Sequence, residues 1–242
     1  MNIAIVIPSR YDSKRFKGKP LAIINGKTMI QRVYERCKES KINNVIVATD
    51  DERIFNEVKS FGGDVVMTSR EHNSGTERIY EVMENNNFDW VINVQGDEPL
   101  ISPELIKNIY EEVLLNKSQV ISAVRKNHCY DDFNNKNIVK VTLDKDNNAL
   151  YFSRSPIPFE LKDGFDFFYH HIGIYAYSKD AINLYVNSKS TELEKTEKLE
   201  QLRFLFYGIK VRMIITDYVS IGVDTKEDIK KIEEILRKNE EN

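Results

Sequence analysis

The chain has 242 residues, 41% hydrophobic and 30% charged, enough for a sizeable core under a solvated surface. Its formal charge of −3 argues against nucleic-acid binding by bulk electrostatics, and no apolar run is long enough to span a membrane. Cys37 and Cys129 lack paired-motif spacing and no secretory leader is visible, so the expectation is a cytoplasmic protein with reduced thiols.

The first element is an unbroken β-branched run over 3–7, the pattern of a strand covered on both faces. Pro8 is expected to end it. A basic, hydroxyl-rich loop follows, with Ser9, Arg10, Ser13, Lys14, Arg15, Lys17, Gly18 and Lys19. Open α/β sheets bind ligands at such strand ends, so the loop suits a polyphosphate, or is only a solvated basic loop. A short extended piece and turn over 21–27 lead to a helix over 29–38, where Met29, Ile30, Val33 and Cys37 share a face. A second strand covers 45–49. Asp50 and Asp51 are cap candidates for a helix to about 61, which Gly62-Gly63 ends. A third strand covers 65–67.

The polar stretch 68–78 then leads into a helix expected over 79–84, and could offer backbone N–H groups to a ligand or be an ordinary surface loop. A fourth strand over 90–94 ends at Gln95-Gly96-Asp97-Glu98-Pro99, and Pro103 opens a helix to about 115. This strand-loop-helix rhythm implies a mostly parallel sheet with helices on both faces. Neither G-x-G-x-x-G nor a P-loop follows the first strand. Beyond 119 the rhythm changes, with strands over 120–124, 138–143, 149–153, 169–177 and 211–216. Helices are expected over 179–186, 192–207 and 225–238; the second would turn Leu193, Thr196, Leu199, Leu202 and Phe206 inward.

Asp97, just past a buried strand, can anchor a hard cation or cap the next helix, with Glu98 as competitor or supporting partner. Asp224 carries the same ambiguity ahead of the last helix. If both strand ends meet, two carboxylates would hold Mg²⁺ against a ligand's phosphates, which with the basic loop suggests nucleotidyl transfer. His128 beside Cys129 is too small a set for a metal site.

These residues fall in motifs that together resemble the 3-deoxy-manno-octulosonate cytidylyltransferase (CMP-Kdo synthetase) family. The motifs are IPSRYDSKRFKGKPL from Ile7, INGKTMIQRVYER from Ile24, VATDDERI from Val47, GGDVVMTSREHNSGTERI from Gly62 and VINVQGDEPLI from Val91. ALYFSRSPIPF from Ala149, HIGIYAY from His171, ELEKTEKLEQLRFLFYG from Glu192 and GVDT from Gly222 complete the series, in the family's order.

The resemblance implies a Rossmann-like nucleotidyltransferase α/β fold with a smaller α+β subdomain. It implies a nucleotide-binding half over about 1–118, a sugar-binding and dimerisation part over about 119–216, and a closing strand end and helix over about 217–242. The implied activity moves CMP from CTP to the anomeric hydroxyl of an acidic eight-carbon sugar, Kdo or an analogue such as 8-amino-Kdo, for lipopolysaccharide biosynthesis. Pyrophosphate is released and Mg²⁺ is required; the enzyme would be a cytoplasmic homodimer. Pro8, Ser9, Arg10, Arg15, Lys19, Ser74, Gly75, Arg78 and Gln95 would bind the nucleotide. Asp97 and Asp224 would hold the metal, and Arg10, Lys19, Asp97 and Asp224 would carry catalysis. Arg154, His171, Tyr175, Glu200 and Gln201 would line the sugar pocket. Lys17, Phe159, His170 and Glu192 depart from the family pattern, the last three on the sugar side. The alternatives are a cytidylyltransferase for a sialic-acid-like sugar and a catalytically silent nucleotide-binding protein.

Overall fold

The computed structural model describes residues 1–12, 16–72, 74–159 and 166–240. Arg15 lies outside the described residues. The chain divides into two compact units, one formed by residues 1–107 and 220–242, the other by residues 108–219.

In the first unit, β1 (Ile3–Ser9) is the central strand. Ile5, Val6 and Ile7 are fully buried, as a run without polar alternation demands. A hairpin of β2 (Ile23–Ile24) and β3 (Lys27–Thr28) turns at Asn25 and Gly26, both at positive φ. Then come α1 (Met29–Glu39), β4 (Asn44–Thr49), α2 (Glu52–Ser60), β5 (Asp64–Met67), α3 (Gly75–Asn86) and β6 (Trp90–Asn93). The strands pair in parallel in the order β6-β1-β4-β5. Helix α4 (Pro103–Leu115) carries the chain into the second unit.

The second unit contains β7 (Val120–Asn127), α5 (Tyr130–Asn134), β8 (Lys140–Leu143), β9 (Ala149–Ser153), β10 (Phe168–Ser178), α6 (Lys179–Asn187), α7 (Glu192–Glu197), α8 (Gln201–Phe206) and β11 (Val211–Ile215). Its pairings are antiparallel from β7 to β10, β10 to β8 and β8 to β9, and parallel from β7 to β11. The chain then rejoins the first unit, where α9 (Lys226–Glu240) closes it. Ile229, Ile232 and Leu236 of α9 pack with Ile24, Met29 and Val223.

Three expectations need correction. Pro8 does not end β1; it pairs with Ala48 and the strand runs on through Ser9. Its missing N–H costs nothing, because pairing with β6 has already stopped at Val6 and Asn93. Helix α3 begins a full turn before Ile79, because the Ser74 hydroxyl accepts the Glu77 N–H as an N-cap.

The helix expected over 192–207 is two helices, broken where Lys198 adopts a left-handed conformation at φ 55°. The break serves the pair Glu194–Arg203, whose contacts of 2.7 and 2.5 Å are bidentate. Nine residues apart on one helix they would point to opposite sides, about 13 Å apart along the axis. Consequently Phe204 is buried while Phe206 is 60% exposed, and Leu193 and Thr196 are exposed as well.

Helix α1 ends on Ser40, and exposed Lys41 follows at φ 64°, a left-handed position that favours glycine. Lys41→Gly is expected to raise stability by roughly 1 kcal/mol, read as an upward shift of the urea midpoint. An unchanged or lower midpoint would count against this strain.

Candidate active site

The first unit gathers charge at the carboxyl ends of its strands. After β1 the loop doubles back, and the Gly18 N–H donates to the Tyr11 carbonyl at 2.8 Å. Gly18 sits at φ 72°, and a Cβ there would press on the Tyr11 ring at 3.2 Å, so this turn needs glycine. The Tyr11 ring also carries the Arg53 guanidinium, 3.3 Å from its centroid. A short 3₁₀ turn, Lys19–Leu21, then presents Lys19. Lys17 pairs with Asp12 at 3.5 Å on an exposed surface, where such a pair contributes little.

The Lys19 ammonium donates to Asp97 Oδ2 at 2.7 Å and to the Val223 carbonyl at 2.8 Å. Asp224 Oδ1 lies 3.7 Å from the same nitrogen. The two acids therefore converge, and the Val223 N–H joins their segments by donating to the Asp97 carbonyl at 2.9 Å. Just ahead of α9, the Asp228 carboxylate accepts the N–H groups of Asp224 and Thr225, at 3.1 and 3.0 Å. Glu98 is buried and accepts from the Ser220 hydroxyl at 2.8 Å, which makes it a brace for the same crossing.

A cavity of about 290 Å³ opens beside this crossing, lined by Ser9, Arg10, Lys19, Ser74, Gln95 and Asp97 among others. Pro8, Gly75 and Arg78 line it too. The first turn of α3 faces it, and a Cβ on Gly75 would stand 3.4 Å from Pro8. Helix N-termini favour anions through unpaired N–H groups and the helix dipole. Among the described residues, the buried Ser9 Oγ has no hydrogen-bond partner. The Arg10 guanidinium donates to the carbonyls of His72 and Ser74. Glu81 holds that loop, accepting from the Ser69 N–H at 2.9 Å and contacting His72 Nε2 at 2.5 Å.

Arg78 is fully buried; it contacts the Thr68 hydroxyl and donates to Asp50 Oδ2 at 2.6 Å. Asp50 thus anchors an arginine, and Asp51 alone caps α2. Gly96 escaped the sequence reading as a site residue, although a Cβ there would lie 3.1 Å from the Pro8 carbonyl.

The second unit brings its five candidates together differently. A bulge between Ile172 and Tyr175 on β10 sets both His171 and Tyr175 toward one cluster, ring centroids 5.4 Å apart. The Ser122 hydroxyl donates to the Ile174 carbonyl at 2.8 Å and lies 3.1 Å from His171 Nε2. His171 also meets the edge of Phe152, at 5.3 Å. Burial, helped by His170, pushes the His171 pKa down to about 3, so the ring is neutral at ordinary pH. Burial, and then the negative charge of Glu200, raises the Tyr175 pKa well above its usual value.

Glu200 and buried Gln201 sit at the start of α8. Arg154, just past β9, reaches the same helix junction through the Glu197 carbonyl at 2.8 Å and the Lys198 carbonyl at 3.5 Å. A third donor goes to the Lys136 carbonyl at 3.1 Å. Of the departures from the motif pattern, His170 adjoins the cluster, while Phe159 and Glu192 lie at the surface. His170 stacks on Phe168, Phe159 is 88% exposed, and Glu192 pairs with Lys195 on the surface.

The chain matches the Cytidylyltransferase family model over residues 4–214. A 3-deoxy-manno-octulosonate cytidylyltransferase of Fusobacterium nucleatum is 45% identical over 236 residues, 97% of this chain and 96% of that one. This chain belongs to the 3-deoxy-manno-octulosonate cytidylyltransferase family. The enzyme of the same description from Pelobacter propionicus is 46% identical, covering 98% of each chain. The solved structure of CMP:2-keto-3-deoxy-manno-octonic acid synthetase complexed with CTP superposes with TM-score 0.94. It shares 37% identity and covers 99% of this chain and 100% of that one. The α/β nucleotidyltransferase fold expected from the motifs is therefore the observed one.

Because His171 titrates near 3 in the folded chain and near 6.5 when unfolded, acid favours unfolding. Its contribution is complete above about pH 6.5 and declines as pH falls toward 3. His170, displaced to about 4 by burial and Arg125, acts in the same direction. Between pH 6.5 and 5, stability is expected to fall by up to about 1.4 kcal/mol per pH unit for each histidine. Urea midpoints should show His171→Gln losing roughly half of this slope; an unchanged slope would mean that His171 is not held neutral.

Proposed function

We infer that this enzyme transfers CMP from CTP to the anomeric hydroxyl of 3-deoxy-manno-octulosonate, releasing pyrophosphate. The observation that carries the reading is the convergence of Asp97 and Asp224 on one ammonium beside a cavity that a helix N-terminus faces. The sugar oxygen attacks the α-phosphorus, the bond to the β-phosphate oxygen breaks, and negative charge builds on the departing pyrophosphate. Lys19 and Arg10 stabilise that charge, and the first-turn N–H groups of α3, with Ser74 and Gly75, bind phosphate oxygen. Ser9 and Gln95 offer polar groups to the nucleotide, and Pro8 shapes the wall beside them. Arg78 acts from behind, fixing Asp50 and the strand ends rather than reaching out.

The acid pair fits Mg²⁺. Hard carboxylate oxygens converge on a point that a cation already occupies, and this metal favours one or two carboxylates together with substrate phosphates. Asp97 and Asp224 would hold it, and when bound it supplies charge neutralisation and orientation for the transferring phosphate. Lys19, now competing with a second cation, would turn its ammonium to the triphosphate.

Arg154 would fork onto the sugar's carboxylate, while Tyr175, Glu200, Gln201 and neutral His171 would address its hydroxyls. The exposed side chains Leu150 and Phe206 of the second unit offer apolar area to a second copy, in keeping with a homodimer. Unpaired Cys37 and Cys129 suit a reducing cytoplasm. Among the described residues, no helix is long and apolar enough to cross a membrane.

The test is pyrophosphate release from CTP with Mg²⁺ and either Kdo or 8-amino-Kdo. Release with Kdo is expected, and no release with either sugar would overturn the reading. Asp97→Asn should lower turnover about 10²- to 10³-fold while leaving the circular dichroism spectrum unchanged. Near-normal turnover would remove Asp97 from the metal site.

A further inference from the structure

Lys140 of β8 is fully buried. A buried ammonium is costly unless its donors are all met. Here each of its three N–H groups has a carbonyl: Asn135 at 2.7 Å, Ile138 at 2.9 Å and Arg154 at 2.9 Å. A neutral amine would have one donor too few. These carbonyls belong to two segments, the turn before β8 and the residue after β9. The β8–β9 register sets Lys140 opposite Ser153, so Arg154 leaves the sheet directly beside the ammonium.

Arg154 ties the same segments from the other side. Its guanidinium returns to the Lys136 carbonyl of that turn, and to Glu197 and Lys198 at the end of α7. The Glu197 carboxylate completes the frame, accepting the Arg154 N–H at 2.9 Å and the Ser153 hydroxyl at 2.7 Å. A guanidinium has five N–H groups, and three carbonyl contacts leave one on each terminal nitrogen. Two such groups side by side are the fork that a carboxylate accepts. The direction of the fork depends on where the 135–138 turn and the Arg154 main chain stand, and Lys140 fixes both.

We infer that Lys140 is a positioning residue, acting through Arg154 to aim the fork that receives the acceptor's carboxylate. This rests on the reading of Arg154 given above. The lysine also places a second positive charge behind that carboxylate. Burial and then Arg154 lower the Lys140 pKa.

The test compares the full-length protein with Lys140→Met and Arg154→Ala, using CTP, Mg²⁺, Kdo and the C1 carboxamide of Kdo. Lys140→Met should raise the KM for Kdo about tenfold and leave the KM for CTP within about twofold. It should also shrink the preference for acid over amide about tenfold, which general loosening of the fold would not do. Where the Met variant does not fold, Lys140→Gln keeps two N–H donors and should give a smaller loss in the same direction. In the unaltered protein, the Lys140 Nζ resonance should shift on adding Kdo and not on adding the carboxamide. An unmoved resonance, or a folded variant with wild-type acid preference, overturns the inference. Arg154→Ala separates the two levels: if it keeps the acid preference, the reading of Arg154 fails. If it loses that preference while Lys140→Met does not, only the Lys140 inference fails.

Discussion

Lys19 holds together two acids that arrive from distant parts of the chain. Without a cation between them, the like charges of Asp97 and Asp224 would repel each other. The ammonium offsets this and adds hydrogen bonds to one acid and to the carbonyl beside the other. That crossing stands only because residues 220–242 return to the first unit. Helix α9 brings them back by burying Ile232 and Val223 against Ile24 and Met29. The apolar packing of a terminal helix thus sets the geometry of a charged site, and Asp228 of that helix holds the Asp224 main chain by accepting its N–H.

The two units solve opposite electrostatic problems. The first keeps its ions at strand ends and beside a helix N-terminus, partly open to water. The second works with desolvated groups. His171 is kept neutral, Tyr175 is kept protonated, and both lean on Ser122 or on each other's rings. Buried polar groups of this kind discriminate because an ill-matched partner leaves them unsatisfied. The cations there, Lys140 and Arg154, are anchored by main-chain carbonyls, so their direction is set before any ligand arrives.

Much of this was legible in the residues. The apolar runs gave the parallel strands because strands buried on both faces have no polar alternation to hide. Asp97 stood out because it follows a buried strand, and Asp224 because it stands just ahead of the last helix. What stayed hidden depends on contacts remote in sequence. Nothing local marks Lys198 for a left-handed conformation; the break appears once Glu194 must meet Arg203. Pro8 reads as a terminator until the stopping point of β6 is known. Arg78 reads in TSREHNSGTER as a residue that helps hold a nucleotide, and its contacts with Asp50 and Thr68 cannot be read from that stretch. Lys140, one lysine in a short apolar strand, carries no signal of its own, since the three carbonyls around it come from the chain's path and not from side-chain type.

The break after α7 also joins the two levels of the second unit. By ending at Glu197 and Lys198, the helix frees carbonyls that its next turn would have consumed, and Arg154 takes two of them. A cation at a helix C-terminus meets the negative end of the dipole, which adds to the hydrogen bonds. The same break lets the chain restart at Glu200 and Gln201, so the end of one helix anchors the arginine while the start of the next supplies its neighbours. An unbroken helix would bury its own carbonyls, turn Arg203 away from Glu194 and leave Arg154 without its anchor. The left-handed residue at Lys198 is therefore a local cost that three separate contacts offset, which is how a strained position persists in a folded chain.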